Sequence, residues 1–198
     1  MKRILINDER MNKKLRIDHT EEISSSRKII KEYTTVNQGQ NSKKVKIYEG
    51  EFLDSLRDGN GLLFDESENL IYKGKFRRGM KHGFGTLYNI RIKNRKDIYH
   101  LSTMEGFFHL DVLDYGKIYI NGNKVYQGTF KNNIPHGLGS LYIKIRYMKK
   151  EISCYYYGFL DNFQPCGQGK LIDDSGNFLF DVICSNNNIK IINKNNKD

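Results

Sequence analysis

The chain has 198 residues, a formal net charge of +10, and neither alanine nor tryptophan. At this length one domain is the default, and no apolar run approaches the ~20 residues of a membrane span. The three cysteines, Cys154, Cys166 and Cys184, are an odd number without paired spacing, which argues against a metal site and for reduced structural thiols; no cofactor is implied.

Residues 1–47 are polar, with twelve Lys or Arg against six Asp or Glu. Glu21 to Tyr33 carries a loosely helical spacing of Ile23, Ile29, Ile30 and Tyr33. The segment reads as a basic arm, partly disordered or helical, that orders on binding, with Lys43 to Ile47 leading into a first strand. The opening Met1–Asp8 stretch has too short an apolar run for a signal peptide, so an intracellular protein without its own lipid anchor is expected.

From 48 to 184 one pattern recurs, in units starting near 48, 72, 104, 126 and 156 with a decayed cap near 178. Tyrosine is followed two residues on by glycine and four residues on by an apolar residue; a Gly-x-Gly pair and a short apolar run come next. The second unit has Tyr72, Gly74, Phe76, Gly79, His82, Gly83, Gly85, Leu87 and Tyr88; the fourth has Tyr126, Gly128, Phe130, His136, Gly137, Gly139, Leu141 and Tyr142. The first keeps Tyr48, Gly50, Phe52, Gly59 and Gly61; the third starts at Met104 and keeps Gly106, Phe108 and Gly116; the fifth keeps Tyr156, Gly158, Leu160, Gly167 and Gly169. Fixed-period self-similarity marks units that bury apolar surface only by stacking on neighbours.

Each unit reads as a β-hairpin. Tyr72, Gly74 and Phe76 alternate with Lys73, Lys75 and Arg77, placing aromatics on one face and charges on the other. A glycine between two aromatics is a poor strand residue unless a ring packs over its bare backbone. Arg77 to Gly83, Lys131 to Gly137 and Asp58-Gly59-Asn60-Gly61 are read as turns, with His82 and His136 belonging to theirs. Asp173-Asp174-Ser175-Gly176-Asn177 is read as a tight turn, because it lacks the ligand spacing of a calcium loop. Residues 185–198 form a polar basic tail.

The spacing Y-x-G-x-F-x-x-G-x-x-H-G-x-G-x-L-x-Y resembles the MORN repeat over roughly Tyr48 to Phe180. The resemblance implies an all-β fold, an elongated single-layer antiparallel meander of stacked hairpins after a non-repeat basic N-terminal segment. Gly50, Gly74, Gly83, Gly85, Gly106, Gly128, Gly137, Gly139, Gly158, Gly167 and Gly169 define the repeats. It also implies scaffolds and membrane-to-cytoskeleton linkers, though the family includes modules attached to lipid kinases and a lysine methyltransferase, so architecture is named more firmly than function.

No catalytic residues stand out. The Gly-x-Gly pairs precede strands, so neither a dinucleotide fingerprint nor a phosphate loop is satisfied, and no hydrolase or kinase signature is present. A non-catalytic scaffold is expected, taking a cytoskeletal or membrane-associated protein partner on a shallow groove of exposed rings: Tyr72, Phe76, Tyr88, Tyr126, Phe130 and Tyr142. The alternatives are an anionic-membrane or phosphoinositide module and a regulatory subunit of a separate lipid kinase or methyltransferase. Nucleic acid is not expected, since the aromatics fall on the packing pattern and no reading motif is present. Homodimerisation through the stack ends or the groove is left open. The expected location is cytoplasmic, at the inner face of a membrane or on the cytoskeleton or axoneme.

Basic character resides in additions to the repeats. Arg91, Lys93, Arg95 and Lys96 follow the second unit, and Lys144, Arg146, Lys149 and Lys150 the fourth. Ile90, Ile92, Ile143 and Ile145 alternate with these residues, predicting strand extensions closed by turns at Asn94–Asp97 and Met148–Glu151, whose tips leave the same edge of the sheet. Ile90 shares parity with Tyr88 but Ile143 with Leu141, so the two basic rows are expected on opposite faces unless a bulge intervenes.

Overall fold

The computed structural model describes residues 16–22, 27–38, 41–93, 99–185 and 188–194; among them every helix-or-strand element is a strand. Two compact units divide the chain, one ending at Val112 and one beginning at Leu113. The first holds β1 (Arg16–Glu22), β2 (Lys28–Gln38), β3 (Asn41–Leu53), β4 (Leu56–Phe64), β5 (Leu70–Arg77), β6 (Met80–Lys93) and β7 (Tyr99–His109). The second holds β8 (Val112–Ile120), β9 (Asn123–Lys131), β10 (Ile134–Tyr147), β11 (Lys150–Asp161), β12 (Gln164–Ile172), β13 (Phe178–Ser185) and β14 (Asn188–Lys194). Within each unit every strand pairs antiparallel with the next in the chain. The all-β meander of hairpins expected from the repeats is thus the observed fold.

A row of glycines crosses each unit. Gly50, Gly61, Gly74, Gly85 and Gly106 are successive cross-strand partners in the first, and Gly116, Gly128, Gly139, Gly158 and Gly169 in the second. The row is a floor for tyrosine. A Cβ on Gly85 would lie 2.5 Å from Cζ and 2.6 Å from Cε2 of Tyr72, and one on Gly61 would meet the same atoms of Tyr48 at the same two distances. Over Gly50 and Gly61, Gly74 and Gly85, Gly128 and Gly139, and Gly158 and Gly169 the ring is therefore the repeat's own tyrosine, bent along its strand, and not a neighbour's.

The tyrosine hydroxyl donates to the carbonyl three residues on: Tyr48 to Glu51 at 3.3 Å, Tyr72 to Lys75 at 3.1 Å, Tyr126 to Thr129 at 2.6 Å and Tyr156 to Phe159 at 3.1 Å. Those carbonyls sit where the ladder is interrupted by a bulge, so the phenol supplies the donor that the neighbouring strand does not and keeps a part-buried acceptor satisfied. The first glycine of Gly-x-Gly has a different purpose. Gly59, Gly83, Gly137 and Gly167 have φ of 108°, 70°, 89° and 70°, a left-handed backbone that makes the bulge and that side chains resist.

Rings then stack edge to face along the first unit. Tyr48 meets Phe52 at 5.3 Å and Phe76 at 5.1 Å, and Tyr72 meets Phe76 at 5.2 Å and Phe108 at 5.4 Å, with interplanar angles of 83–89°. In the second, Tyr126 lies between Phe130 and Phe163. Each such pair contributes about 0.5–1.5 kcal/mol beyond area burial, and this face is the core: Tyr48, Tyr72, Tyr126 and Tyr156 have no exposed surface.

Hairpin reversals are shorter than the turn-rich sequence suggests. Asp54–Ser55, Arg78–Gly79, Leu110–Asp111, Asn121–Gly122, Asn132–Asn133, Met148–Lys149 and Asn162–Phe163 all have two consecutive positive φ angles, the geometry whose twist matches a β-hairpin. Asp58–Gly61 is accordingly not a turn but the bulged start of β4, and His82 and His136 lie on strands, beside the bulge glycines. Asp173–Asn177 is the expected tight turn: the Asp173 carboxylate accepts from the amides of Ser175 and Asn177 at 2.9 and 2.8 Å. Asp65–Asn69 repeats it.

The helical reading of residues 21–33 is overturned, since Lys28–Gln38 is β2. Tertiary contacts override the weak local period. Ile30 is buried opposite Gly50, and the buried Glu32 carboxylate accepts from Nε and Nη2 of Arg57. The Arg57 guanidinium in turn lies 4.5 Å from the Tyr48 ring centroid, which ties β2 into the repeat core.

Candidate functional face

The groove of exposed rings is not where the sequence placed it. Tyr72, Phe76, Tyr126 and Phe130 are buried, and Tyr88 and Tyr142 are half-buried. The first four are consumed by the ring stack, because the face carrying Tyr-x-Gly-x-Phe is the one each unit packs on itself.

Exposed apolar residues lie on the other face, one step from the glycine row toward the short turns. In the first unit Phe84 pairs with Phe107 across β6 and β7, ring centroids 5.5 Å apart, with 50% and 58% of their surface exposed. In the second unit Leu138 pairs with Phe159 across β10 and β11, and the same row continues through Tyr115 on β8 and Ile183 on β13. Leu138 is 71% exposed, the others 38–46%. Phe84 and Leu138 occupy one repeat position, the x of Gly-x-Gly. Beside them, the His82 ring meets His109 at 5.5 Å and the His136 ring meets Phe159 at 5.4 Å. His136 Nδ1 lies 3.3 Å from the Asp161 carboxylate.

On the other side of the glycine row runs a second line of side chains. In the second unit it is Lys117, Gln127, Ser140, Tyr157, Lys170 and Asp181, with Tyr157 45% exposed. The Tyr142 and Tyr155 rings, 5.6 Å apart, come next, then Lys144 and Arg146 on the β10–β11 extension. Lys144 donates to Glu151 at 2.8 Å, and this hydrogen bond holds the Lys144 ammonium above and the Glu151 carboxyl below their ordinary pKa ranges.

The extensions exist on both sides. β10 and β11 pair without interruption from Gly137–Leu160 to Tyr147–Lys150, closing over Met148–Lys149, with Arg146, Lys149 and Lys150 exposed and Met148 at 76%. β6 and β7 extend to Lys93 and Tyr99; Arg95 and Lys96 lie outside the described residues. The register corrects the opposite-face reading: Leu87 faces Met104 but Ile90 faces Ser102, a bulge in β6. Ile90 is thereby buried, so the inward face resumes one residue later than counting by twos from Tyr88 places it, while Lys144 and Arg146 fall on the face opposite the ring stack of the second unit.

Phe84, Phe107, Leu138 and Phe159 were missed because the repeat spacing assigns their face to charge. The available signal was an apolar residue between two glycines, where the first and fifth units have Asn60 and Gln168. Among the described residues no group of three or more His, Cys, Asp or Glu could hold a metal ion, and no helix is long and apolar enough to cross a membrane. Cys154 and Cys184 are buried and Cys166 is exposed.

No curated protein matches the chain. Residues 48–65, 72–89 and 126–143 match the family model of the MORN repeat, a repeat generally found in protein or membrane binding and not in catalysis. Those three segments form tyrosine-over-glycine hairpins of the kind described above, so the chain carries MORN repeats at residues 48–65, 72–89 and 126–143.

Proposed function

We propose that this protein is a non-catalytic scaffold or adaptor that holds a protein partner on the outer faces of its hairpin sheets, at a membrane or cytoskeletal structure. The observation that carries this is the set of exposed apolar side chains beside the glycine row within each unit: Phe84 and Phe107 in the first, and Tyr115, Leu138, Phe159 and Ile183 in the second. Apolar side chains gathered on a solvent face fit partner contact better than they fit a free surface. The test is proximity labelling with the full chain beside Phe84→Ser/Phe107→Ser and Leu138→Ser/Phe159→Ser variants whose far-UV circular dichroism is unchanged. Loss of a shared set of partners is expected; an identical partner list from all three overturns the reading.

A second reading is favoured by the β10–β11 tip, where exposed Met148 is flanked by Arg146, Lys149 and Lys150. An apolar tip ringed by cations suits an anionic membrane surface, to which each nearby Lys or Arg contributes about 1 kcal/mol. Sedimentation with phosphatidylserine vesicles should fall in Lys149→Glu/Lys150→Glu; equal sedimentation removes this reading.

A further inference from the structure

Resting on the membrane reading of the β10–β11 tip, we infer that Met148 is an oxidation site. A hydroperoxide converts it to the sulfoxide, and the tip then loses its hold on an anionic bilayer. The first reason is where the thioether stands. Met148 is 76% exposed at the end of a hairpin that runs on past the repeat, whereas Met104 in the core has no exposed surface and Met80 is half-buried. An oxidant in solution or at a membrane surface reaches Met148 before the other two.

The second reason is that the turn itself does not call for methionine. Two-residue reversals with positive φ favour Gly, Asn and Asp, and six of the seven such reversals among the described residues contain at least one of them. Met148–Lys149, with φ of 47° and 66°, contains none. The left-handed backbone is held there against the preference of both side chains, and such positions cluster where a side chain is used.

The third reason is how the tip is anchored and charged. Tyr147, next to the turn, lays its ring against Phe180 of β13 at 4.9 Å, so the hairpin end is held in place. Arg146, Lys149 and Lys150 are exposed around the thioether. Glu151 is the single acid between residues 143 and 155 and is bonded to Lys144. The cations bring the tip to anionic headgroups, and the apolar side chain at its end gains by leaving water among the lipids.

Oxidation acts on that second contribution alone. The O–O bond of the hydroperoxide breaks, one oxygen joins Sδ, sulfur gives up two electrons, and the peroxide leaves as water or an alcohol. The sulfoxide is polar and costly to bury in hydrocarbon, while every charge at the tip is unchanged.

The experiment sediments the full chain with phosphatidylserine vesicles before and after hydrogen peroxide, with peptide mass mapping of the methionines. Met148 should take up one oxygen while Met104 stays reduced, and vesicle affinity should fall about tenfold. In Met148→Leu, which keeps an apolar tip, the same treatment should leave affinity where it stood before treatment, and Met148→Gln should bind like the oxidised chain. Unchanged affinity with Met148 fully oxidised overturns the site, as does oxidation of Met104 ahead of Met148. An equal fall in Met148→Leu also overturns it, by assigning the effect to another group such as exposed Cys166. If peroxide has no effect while Lys149→Glu/Lys150→Glu abolishes sedimentation, the oxidation site fails and the membrane reading stands. If the untreated chain does not sediment at all, both fail.

Discussion

Gly85→Ala isolates the contact on which each hairpin is built. The added Cβ would stand 2.5 Å from Cζ and 2.6 Å from Cε2 of Tyr72, where real Cβ atoms do not go. The ring has no sideways escape, because Phe76 and Phe108 flank it at 5.2 and 5.4 Å. It must lift, forfeiting much of a burial worth about 1.5–3 kcal/mol, two edge-to-face contacts of about 0.5–1.5 kcal/mol each and the hydroxyl bond to Lys75, about 1 kcal/mol. A loss of about 3–5 kcal/mol follows, comparable to removing a core aromatic. Gly79→Ala is the control: nothing lies within 4 Å of its Cβ and only its φ of +87° resists, about 1 kcal/mol. Urea unfolding followed by far-UV circular dichroism compares the two directly. Equal losses, or a smaller loss for Gly85→Ala, would refute the seating of tyrosine on glycine as the source of repeat stability. Adding Tyr72→Leu to Gly85→Ala should recover part of the loss, since contacting residues couple.

Glu32→Gln removes one partner of the pair with Arg57, whose side chains are 6% and 11% exposed; about 3–5 kcal/mol should be lost, and a loss below 1 kcal/mol by urea titration would place β2 outside the cooperative core. Burial raises the Tyr48, Tyr72 and Tyr126 hydroxyls well above their ordinary value and Tyr156 to about 12. The fold thus holds protons that the unfolded chain releases near pH 10, so stability should be full below that pH and fall as pH rises past it. Absorbance at 295 nm should show these phenols ionising together with unfolding, and smooth titration of all tyrosines in folded protein would contradict it. Burial likewise lifts the Cys154 thiol to about 11, so iodoacetamide at pH 8 should modify exposed Cys166 first and Cys154 only on unfolding. Deleting Asn89 should leave a folded protein, whereas deleting Tyr142 should not; thermal melts of the two variants decide.

The deletions show why the hairpins were legible in the sequence and the functional face was not. Tyrosine, glycine and phenylalanine at fixed spacing report an interaction local in sequence: Tyr72 covers Gly74 on its own strand and Gly85 on the next. Register and burial are set by partners many residues away. Counting by twos from Tyr88 puts Ile90 outward, but three residues of β6 span two of β7, so Ile90 turns in and Ser102 Oγ donates to its carbonyl at 2.8 Å. Removing Asn89 would convert that bulge to a regular ladder with Ile90 still inward. β10 has no such slack between Gly137 and Tyr147, so losing Tyr142 would turn Ile143 and Ile145 to solvent and Lys144 and Arg146 toward the ring stack, a reversal of every side chain beyond the cut. The same logic explains the misplaced groove. Aromatic spacing marks the face a unit packs on itself, so the surface left for a partner is found by looking for what the repeat does not need. Neither Phe84 nor Leu138 is required by the tyrosine seat, since that position is Asn60 and Gln168 in other units, and each stands exposed beside an aromatic on the neighbouring strand.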